Sequence, residues 1–396
     1  MKTFLRSLPL IFIMLLATYW LPEVISRNPS DIITPKEESE TIQSESFDYQ
    51  TTDLEPEQLP VAGLGSYVGQ NIANFTEKFG DPKRIDPTVY KEERWIFGEN
   101  EKDYAQLIVK DDIITDLFVL GSELDVAPFK IGMSITEVFQ LASFYPTYSV
   151  ENQGEQVTLE LTESDLNYRP LIAFDNQTFA VLMMDRSTNQ IIAVRYLDSP
   201  SLIRLGIYDD GSKKHIIPSL EVDEIRQEAI NKANQKQVYE ILNILRYRYE
   251  LSALTPSDAL TGVAETIFIN QEEQIIADRQ ANKESDFSET ESSNKAIKNQ
   301  NSSIETFILD DNSNSIDEQS NQTYQTLTSE QIEFTLQETE LELNEVRVLY
   351  SIQETDVAWL ATNWFSLEIE RNFLMDAGMT EIGLAYRAND MLLILH

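Results

Sequence analysis

Residues 357–395, near the carboxyl terminus, carry the pattern that most constrains the fold. Four residues lie on one face at helical spacing: Val357, Leu360, Ala361 and Trp364. After this helix, two apolar runs, residues 381–386 and 391–395, flank a short polar segment, residues 387–390. Polar, turn-tolerant residues between two apolar runs are typical of a hairpin connection. The sequence therefore predicts a packed helix followed by a buried hairpin.

Two further helices are predicted ahead of this segment. Four residues form one apolar stripe: Val238, Leu242, Leu245 and Tyr249. Thr255 followed by Pro256 predicts the start of a second helix, because threonine caps a first turn and proline suits the first helical position. Apolar residues then recur at helical spacing through Ile267.

From about residue 235 to the end, the chain resembles a CAP domain, the extracellular family named for cysteine-rich secretory proteins, antigen 5 and pathogenesis-related 1. Asn243 and Arg246 lie where the opening helix of that family has an Asn-x-x-Arg pattern. Trp364 precedes Arg371 by seven residues, a spacing that the family also has. The resemblance implies an α-β-α sandwich over residues 230–396.

An internal repeat occupies residues 61–205. Gly69 and Gly132 lie 63 residues apart, and each leads into a short helical pattern followed by strand-like segments. This pattern predicts two halves, each a helix with a β-meander. We expect both glycines to form tight turns and not phosphate-binding loops, since neither lies in a glycine-rich segment.

The repeat resembles the CAP-associated N-terminal domain, which precedes CAP domains in some envelope proteins of Firmicutes. The resemblance rests on the paired starts at residues 68–72 and 131–135 and on the Phe-Gly-Asp-Pro-Lys-Arg-Ile-Asp segment at 79–86. The predicted fold class is therefore α+β. A duplicated N-terminal domain of helices and antiparallel sheet precedes a degenerate α-β-α sandwich CAP domain.

Three polar segments separate or interrupt these units. Residues 28–60 are acidic and rich in Ser, Thr and Pro, which predicts a disordered tether. Residues 206–229 form a connector. Residues 281–331 consist largely of Asn, Ser, Gln, Glu and Lys, and we interpret them as an expanded polar loop within the CAP domain.

The amino-terminal residues 1–27 have the pattern of an export signal. Lys2 and Arg6 precede an apolar run at residues 8–21. No small-x-small cleavage triplet and no cysteine for lipidation follow, which favours an uncleaved signal anchor over a cleaved signal peptide. Lysine and arginine next to an apolar segment favour the cytoplasmic side of the membrane. The chain after this segment is therefore expected on the extracellular face, anchored there or secreted.

Charge and cysteine content exclude several classes of partner and site. The formal net charge is −37 and is spread along the chain, which disfavours nucleic acid and anionic membrane surfaces and favours cationic partners or ions. With no cysteine, the chain has no disulfide framework and no thiolate nucleophile or metal ligand.

The CAP resemblance also implies a pocket that contains two histidines and two acidic residues. Glu289 lies where the family has its first histidine, Glu370 lies where it has the second, and Glu345 matches an acidic residue of the pocket. The two histidines of the chain, His215 and His396, lie outside these motifs. The candidate ligand pocket, with no catalytic residue assigned, comprises Glu289, Glu345, Glu370, Trp364 and Arg371.

Three converging carboxylates would raise one another's pKa or recruit a hard cation. Calcium or magnesium is therefore the expected ion, bound by Glu289, Glu345 and Glu370, whereas zinc is not expected without imidazole or thiolate. Either ion would then raise the melting temperature, and Glu370→Gln would abolish that rise. The competing interpretation is a vestigial pocket in which the glutamates are solvated or paired, for example Arg371 with Glu345.

These features favour a non-enzymatic, envelope-tethered binding or interaction module, whose partner is a component or protein of the cell envelope. A metal-assisted hydrolase of the protease or lipase type is an alternative, but a general base near neutral pH is ordinarily histidine. A structural spacer of the envelope is a third possibility. An apolar groove beside Trp364 would favour binding over spacing.

Overall fold

The computed structural model describes residues 55–90, 92–152, 154–211, 222–285, 306–309, 326–339, 341, 345–352 and 354–396. These residues belong to one compact unit, Leu54–His396. Within the described ranges, no helix combines the length and apolar character needed to cross a membrane. The predicted anchor and most of the predicted tether lie outside these ranges.

The amino-terminal half contains an eight-stranded sheet in the order β1-β8-β9-β10-β5-β4-β3-β2. Its strands are β1 (Gln58–Leu59), β2 (Arg84–Pro87), β3 (Glu93–Phe97), β4 (Ala105–Lys110), β5 (Ile113–Val119), β8 (Leu171–Phe174), β9 (Phe179–Asp185) and β10 (Gln190–Leu197). A separate hairpin consists of β6 (Thr147–Asn152) and β7 (Glu155–Glu160). The helices are α1 (Ile72–Phe79), α2 (Ile135–Val138), α3 (Glu163–Tyr168) and α4 (Ser199–Leu205), with a 3-10 helix at Gly63–Tyr67.

This sheet consists of two similar meanders, β2 to β5 and β8 to β10, whose last strands pair antiparallel at its centre. The same turn precedes the helix in each copy. The Gly69 N–H donates to the Ile114 carbonyl at 2.7 Å, and the Gly132 N–H donates to the Ile191 carbonyl at 2.8 Å. Both glycines have positive φ angles, +84° and +86°, which glycine adopts without steric cost. The predicted duplicated architecture is confirmed.

The carboxyl-terminal half contains a five-stranded sheet in the order β11-β14-β15-β13-β12. Its strands are β11 (Thr255–Pro256), β12 (Thr306–Leu309), β13 (Arg347–Ser351), β14 (Glu381–Arg387) and β15 (Asp390–Leu395). The helices are α5 (Glu224–Arg248), α6 (Asp258–Ser285), α7 (Ser329–Gln337), α8 (Val357–Asn363) and α9 (Glu368–Leu374), with a 3-10 helix at Trp364–Ser366. The predicted helix at residue 357 and the hairpin are confirmed, since Leu384 in β14 lies opposite Leu393 in β15.

Two helix starts differ from the prediction. Helix α5 begins at Glu224, before residue 230, because Asp223 caps it by accepting a hydrogen bond from the Arg226 N–H. Thr255 and Pro256 do not begin helix α6 but form the edge strand β11, paired in parallel with β14. Proline, which has no N–H to donate, is tolerated on an edge strand.

Alternating side chains connect the two sheets through one shared core. Leu117 of β5 packs with the amino-terminal helices, whereas Phe118 belongs to a core cluster that also contains Leu242 of α5, Leu360 of α8 and Leu393 of β15. Helices α5 and α8 therefore pack between the two sheets. The opposite face of the second sheet packs against α6 and α7.

Candidate functional site

Trp364 lies at the start of the second 3-10 helix and is 0% exposed. It belongs to the core that the two sheets share. The amino-terminal sheet covers this turn, because the Arg186 N–H beyond β9 donates to the Phe365 carbonyl at 2.9 Å. The side chain is therefore closed off from solvent, and its place in a ligand pocket stays a prediction.

Arg371 on α9 pairs with Asp185 at the end of β9. The Arg371 Nη2 donates to Asp185 Oδ2 at 2.8 Å, and Nε donates to Oδ1. The Tyr249 hydroxyl donates to the same carboxylate, and the guanidinium lies 5.4 Å from the Tyr249 ring centroid. The predicted ion pair between Arg371 and Glu345 is wrong. The Arg371 guanidinium instead pairs with the carboxylate of Asp185, which belongs to the amino-terminal half of the chain.

The electrostatics of Asp185 follow from these contacts. Its side chain is 0% exposed, and burial opposes its ionisation. The hydrogen bonds from Arg371 and Tyr249 outweigh that effect and lower the pKa of Asp185. The ionised Asp185 carboxylate therefore links the amino-terminal half of the chain to Arg371 and Tyr249 of the carboxyl-terminal half.

The glutamates of the candidate pocket lie in different surroundings. Glu370 in the first turn of α9 is 6% exposed, and burial raises its pKa. Glu345 is exposed, and its Oε2 lies 3.7 Å from His396 Nε2. Glu289 lies outside the described residues. Within the described ranges no three His, Asp or Glu residues form a group that could hold a metal ion, so calcium or magnesium binding through Glu289 stays a prediction.

A test of the Asp185 contact is Tyr249→Phe. We expect it to lower the free energy of unfolding by about 1–2 kcal/mol, because it removes a donor from a buried carboxylate. Tyr247→Phe is the matched control, since Tyr247 is 71% exposed. Urea denaturation of both variants measures the difference. An equal effect of the two substitutions would show that the Tyr249 hydroxyl contributes nothing to the contact.

A second group of charges lies where the amino-terminal sheet meets the segment before α8. It surrounds a cavity of about 50 Å³, which we call the interdomain cavity. The cavity is lined by Thr88, Tyr90, Glu92, Arg94, Ile108, Asp116, Arg195, Ser201, Arg204, Leu205, Glu354, Thr355 and Asp356. No pattern in the sequence indicated a role for these residues.

Asp356 is the central acceptor of this group. Its Oδ2 accepts from Arg195 Nη2 at 2.6 Å and from Arg94 Nη2 at 3.1 Å, whereas its Oδ1 accepts from the Trp359 N–H at 2.8 Å and so caps α8. Burial opposes ionisation, but Arg195 and Arg94 hold the pKa of Asp356 far below its usual range. Arg195 also forms a two-pronged contact with Asp116. One aspartate thus caps a helix and pairs with two arginines of the first sheet.

Glu354 lies two residues before this cap and has the opposite electrostatics. Its Oε1 accepts from the Asp356 N–H at 2.7 Å. Burial raises the pKa of Glu354 to about 8, although this hydrogen bond and the charge of Arg195 oppose the shift. Glu354 is therefore protonated at neutral pH and can donate a hydrogen bond.

A larger cavity, which we call the α6–α7 groove, lies between helices α6 and α7 on the outer side of the second sheet. Its volume is about 950 Å³. Its lining includes Phe334, which is 62% exposed, and the exposed acidic residues Glu273, Glu330 and Glu338. No lysine or arginine is among the described residues that line it. An exposed aromatic ring among carboxylates suits a ligand that is both apolar and positively charged.

Comparison with known proteins identifies the amino-terminal domain. Residues 68–208 match the CAP-associated N-terminal family. A relative from Bacillus subtilis (strain 168), named "Uncharacterized membrane protein YlbC", is 28% identical over 196 residues. This region is 50% of the present chain and 56% of the relative, so the match spans little more than half of that protein.

Two solved structures are similar over 86% of the chain. One is a cysteine-rich secretory protein (SAV1118) from Staphylococcus aureus subsp. aureus Mu50, with a TM-score of 0.64, 19% identity and 94% of its own chain covered. The other is an extracellular protein containing a SCP domain from Bacillus anthracis str. Ames, with a TM-score of 0.62, 18% identity and 97% covered. Residues 68–208 are thus similar to the CAP-associated N-terminal family, and the chain has the fold of these cysteine-rich secretory, or SCP-domain, proteins.

Proposed function

We propose that this chain is a non-enzymatic binding module held at the outer face of the cell membrane. The apolar run after Lys2 and Arg6 supports this location, as do a relative named as a membrane protein and a structural neighbour named as extracellular. The Trp364 side chain is buried in the core, and the Arg371 guanidinium is paired with Asp185. The proposed binding surface therefore lies on another part of the chain.

The observation that carries the proposal is the α6–α7 groove. Its volume of about 950 Å³ falls in the range of about 300–1,000 Å³ that is typical of ligand sites. Phe334 exposes 62% of its surface there, although a phenylalanine side chain gains about 1.5–3 kcal/mol on full burial. A partner that covers this ring recovers part of that free energy.

The occupant that fits the groove is a basic amphipathic segment of an envelope protein. Glu273, Glu330 and Glu338 present carboxylates to the groove, and the chain as a whole carries a formal charge of −37. Complementary charges speed association and select the partner, while the apolar contact at Phe334 retains it. Binding should therefore weaken as salt is added.

The test uses the full-length chain in detergent and a short fluorescent peptide with lysines on one helical face and leucines on the other. Fluorescence anisotropy should show saturable binding that Phe334→Ala weakens roughly tenfold or more, since a tenfold change corresponds to about 1.4 kcal/mol. Glu330→Lys should also weaken binding, and by a larger factor at low salt than at high salt.

The matched control is Phe139→Ala, which removes a ring of similar exposure, 57%, from the amino-terminal half. It should leave peptide binding unchanged. Equal losses for the two phenylalanine variants would mean non-specific adsorption to an acidic protein. Absence of binding at low salt would remove the groove as the binding surface.

One observation favours the alternative of hydrolysis. Glu370 is a buried carboxyl with a raised pKa, which is a property of carboxylates that act as general bases. Hydrolysis of a casein or ester substrate that Glu370→Gln abolishes would support this alternative. Activity that persists in Glu370→Gln would come from a contaminant or from another site.

A further inference from the structure

One nitrogen in the interdomain cavity lacks a hydrogen-bond partner. Arg195 is 2% exposed, and its Nε and Nη2 bind Asp116 and Asp356. Its Nη1 is buried and has no partner in the part of the chain that the structure describes. Buried donors are nearly always paired because desolvation without a hydrogen bond costs free energy. Since Arg195 lines the cavity, a ligand there that accepts a hydrogen bond would remove this cost.

The charges around the cavity are balanced before any ligand binds. Groups from every neighbouring element face Glu354 or the cavity: Tyr90 and Glu92 before β3, Arg94 in β3, Asp116 in β5, Arg195 in β10, Arg204 in α4, Asp356 beside Glu354, and Tyr386 in β14. Arg204 pairs with Glu92 at 2.7 Å, and Asp356 pairs with the other two arginines. Three arginines thus oppose three carboxylates, so the protonated Glu354 leaves the cavity neutral, whereas an ionised Glu354 makes it negative.

We propose that the interdomain cavity binds one small carboxylate anion, of the size of formate or acetate, between the unpartnered Arg195 Nη1 and the carboxyl group of Glu354, which both line it. A volume of about 50 Å³ exceeds the roughly 10–15 Å³ that one water molecule needs, so the cavity has room for an anion of a few heavy atoms. The anion would accept one hydrogen bond from each half of the chain. Its binding would therefore stabilise the contact between the amino-terminal domain and the CAP domain.

Binding of this anion is coupled to a proton on Glu354. Because burial raises the pKa of that carboxyl to about 8, the donor is present at pH 6.5 and is almost entirely lost at pH 9.5. Affinity should fall roughly 30-fold between these two values, as the protonated fraction does. Glu354→Gln keeps a neutral donor at every pH, so its affinity should not change between pH 6.5 and 9.5.

The experiment is a thermal titration of the full-length chain in detergent with sodium formate. Sodium gluconate, whose anion is too large for the cavity, keeps the ionic strength constant. At pH 6.5 the unfolding midpoint should rise with the logarithm of formate concentration, as expected for a ligand that binds only the folded state. At pH 9.5 the same rise should require roughly 30-fold more formate in the wild type, but the same formate concentration as at pH 6.5 in Glu354→Gln.

Two results would overturn the proposal. The midpoint in formate could equal that in gluconate at pH 6.5, which would mean that the cavity holds water alone. The formate effect could also be the same at both pH values in the wild type, which would place the anion away from Glu354. Isothermal titration calorimetry with formate gives the same comparison in Arg195→Lys, which lacks Nη1 and should bind at least tenfold more weakly. If that variant does not fold, the comparison of the formate effect at pH 6.5 and pH 9.5 is sufficient to test the proposal.

Discussion

Replacement of Asp356 by alanine is expected to lower the free energy of unfolding by about 3–5 kcal/mol, which is typical of breaking a buried ion pair from one side. The substitution leaves Arg94 without its carboxylate and Arg195 with Asp116 alone. It also removes the cap of α8, which contributes about 1 kcal/mol. Urea denaturation at neutral pH measures the loss.

Asp223→Ala is the matched control for this variant. Asp223 caps α5 in the same way, by accepting a hydrogen bond from the Arg226 N–H at 2.9 Å, but it is exposed and forms no ion pair in the described structure. It should cost about 1 kcal/mol or less. If the two alanine variants are equally stable, the arginine contacts of Asp356 contribute nothing and the cap explains the whole effect.

The second large effect concerns Glu354→Gln and pH. Folding raises the pKa of Glu354 from 4.5 to about 8, so the folded state retains a proton that the unfolded state loses. The contribution of this group to stability is therefore fully present below about pH 4.5 and falls as pH rises towards 8. Glutamine mimics the protonated form at all pH values. We expect Glu354→Gln to be more stable than the wild type by about 3 kcal/mol at pH 7 and by more at pH 8.5.

The measurement is the difference in unfolding free energy between the two proteins from pH 5 to pH 9 in gluconate buffer. Taking a difference cancels the contributions of the many other acidic groups. Glu77→Gln, at an exposed position on α1, is the matched control for the substitution itself. A flat difference for Glu354→Gln would mean that Glu354 ionises as freely as a carboxyl in water.

The spacing of apolar residues correctly predicted the helices and strands that are determined by residues close together in the sequence. The helix at Val357 and the hairpin of β14 and β15 follow from apolar spacing over short stretches, and the duplication follows from the paired glycine turns. The β6 strand, Thr147–Asn152, was not predicted. Its hairpin with β7 lies outside both main sheets and has no counterpart in the first copy.

The contacts of Arg371, Trp364 and Asp356 were harder to predict because they depend on how the two halves of the chain meet. Arg371 and Asp185 are 186 residues apart, and nothing local to either residue indicates the pair. The family resemblance placed Trp364 in a pocket, but burial of that side chain depends on contacts with β9 and the turn beyond it. Nothing in the sequence indicated a role for Asp356, because its two arginines, Arg94 and Arg195, lie in strands that are distant from it along the chain.

Hydrogen exchange of the full-length chain in detergent, with and without the lysine–leucine peptide, tests the proposed binding function most directly. The account predicts slower exchange in α6 and α7, which form the groove, and unchanged exchange in α1 on the opposite side of the first sheet. Protection that is absent from α7, or that is equal in α1 and α7, would contradict the assignment of the α6–α7 groove as the binding surface.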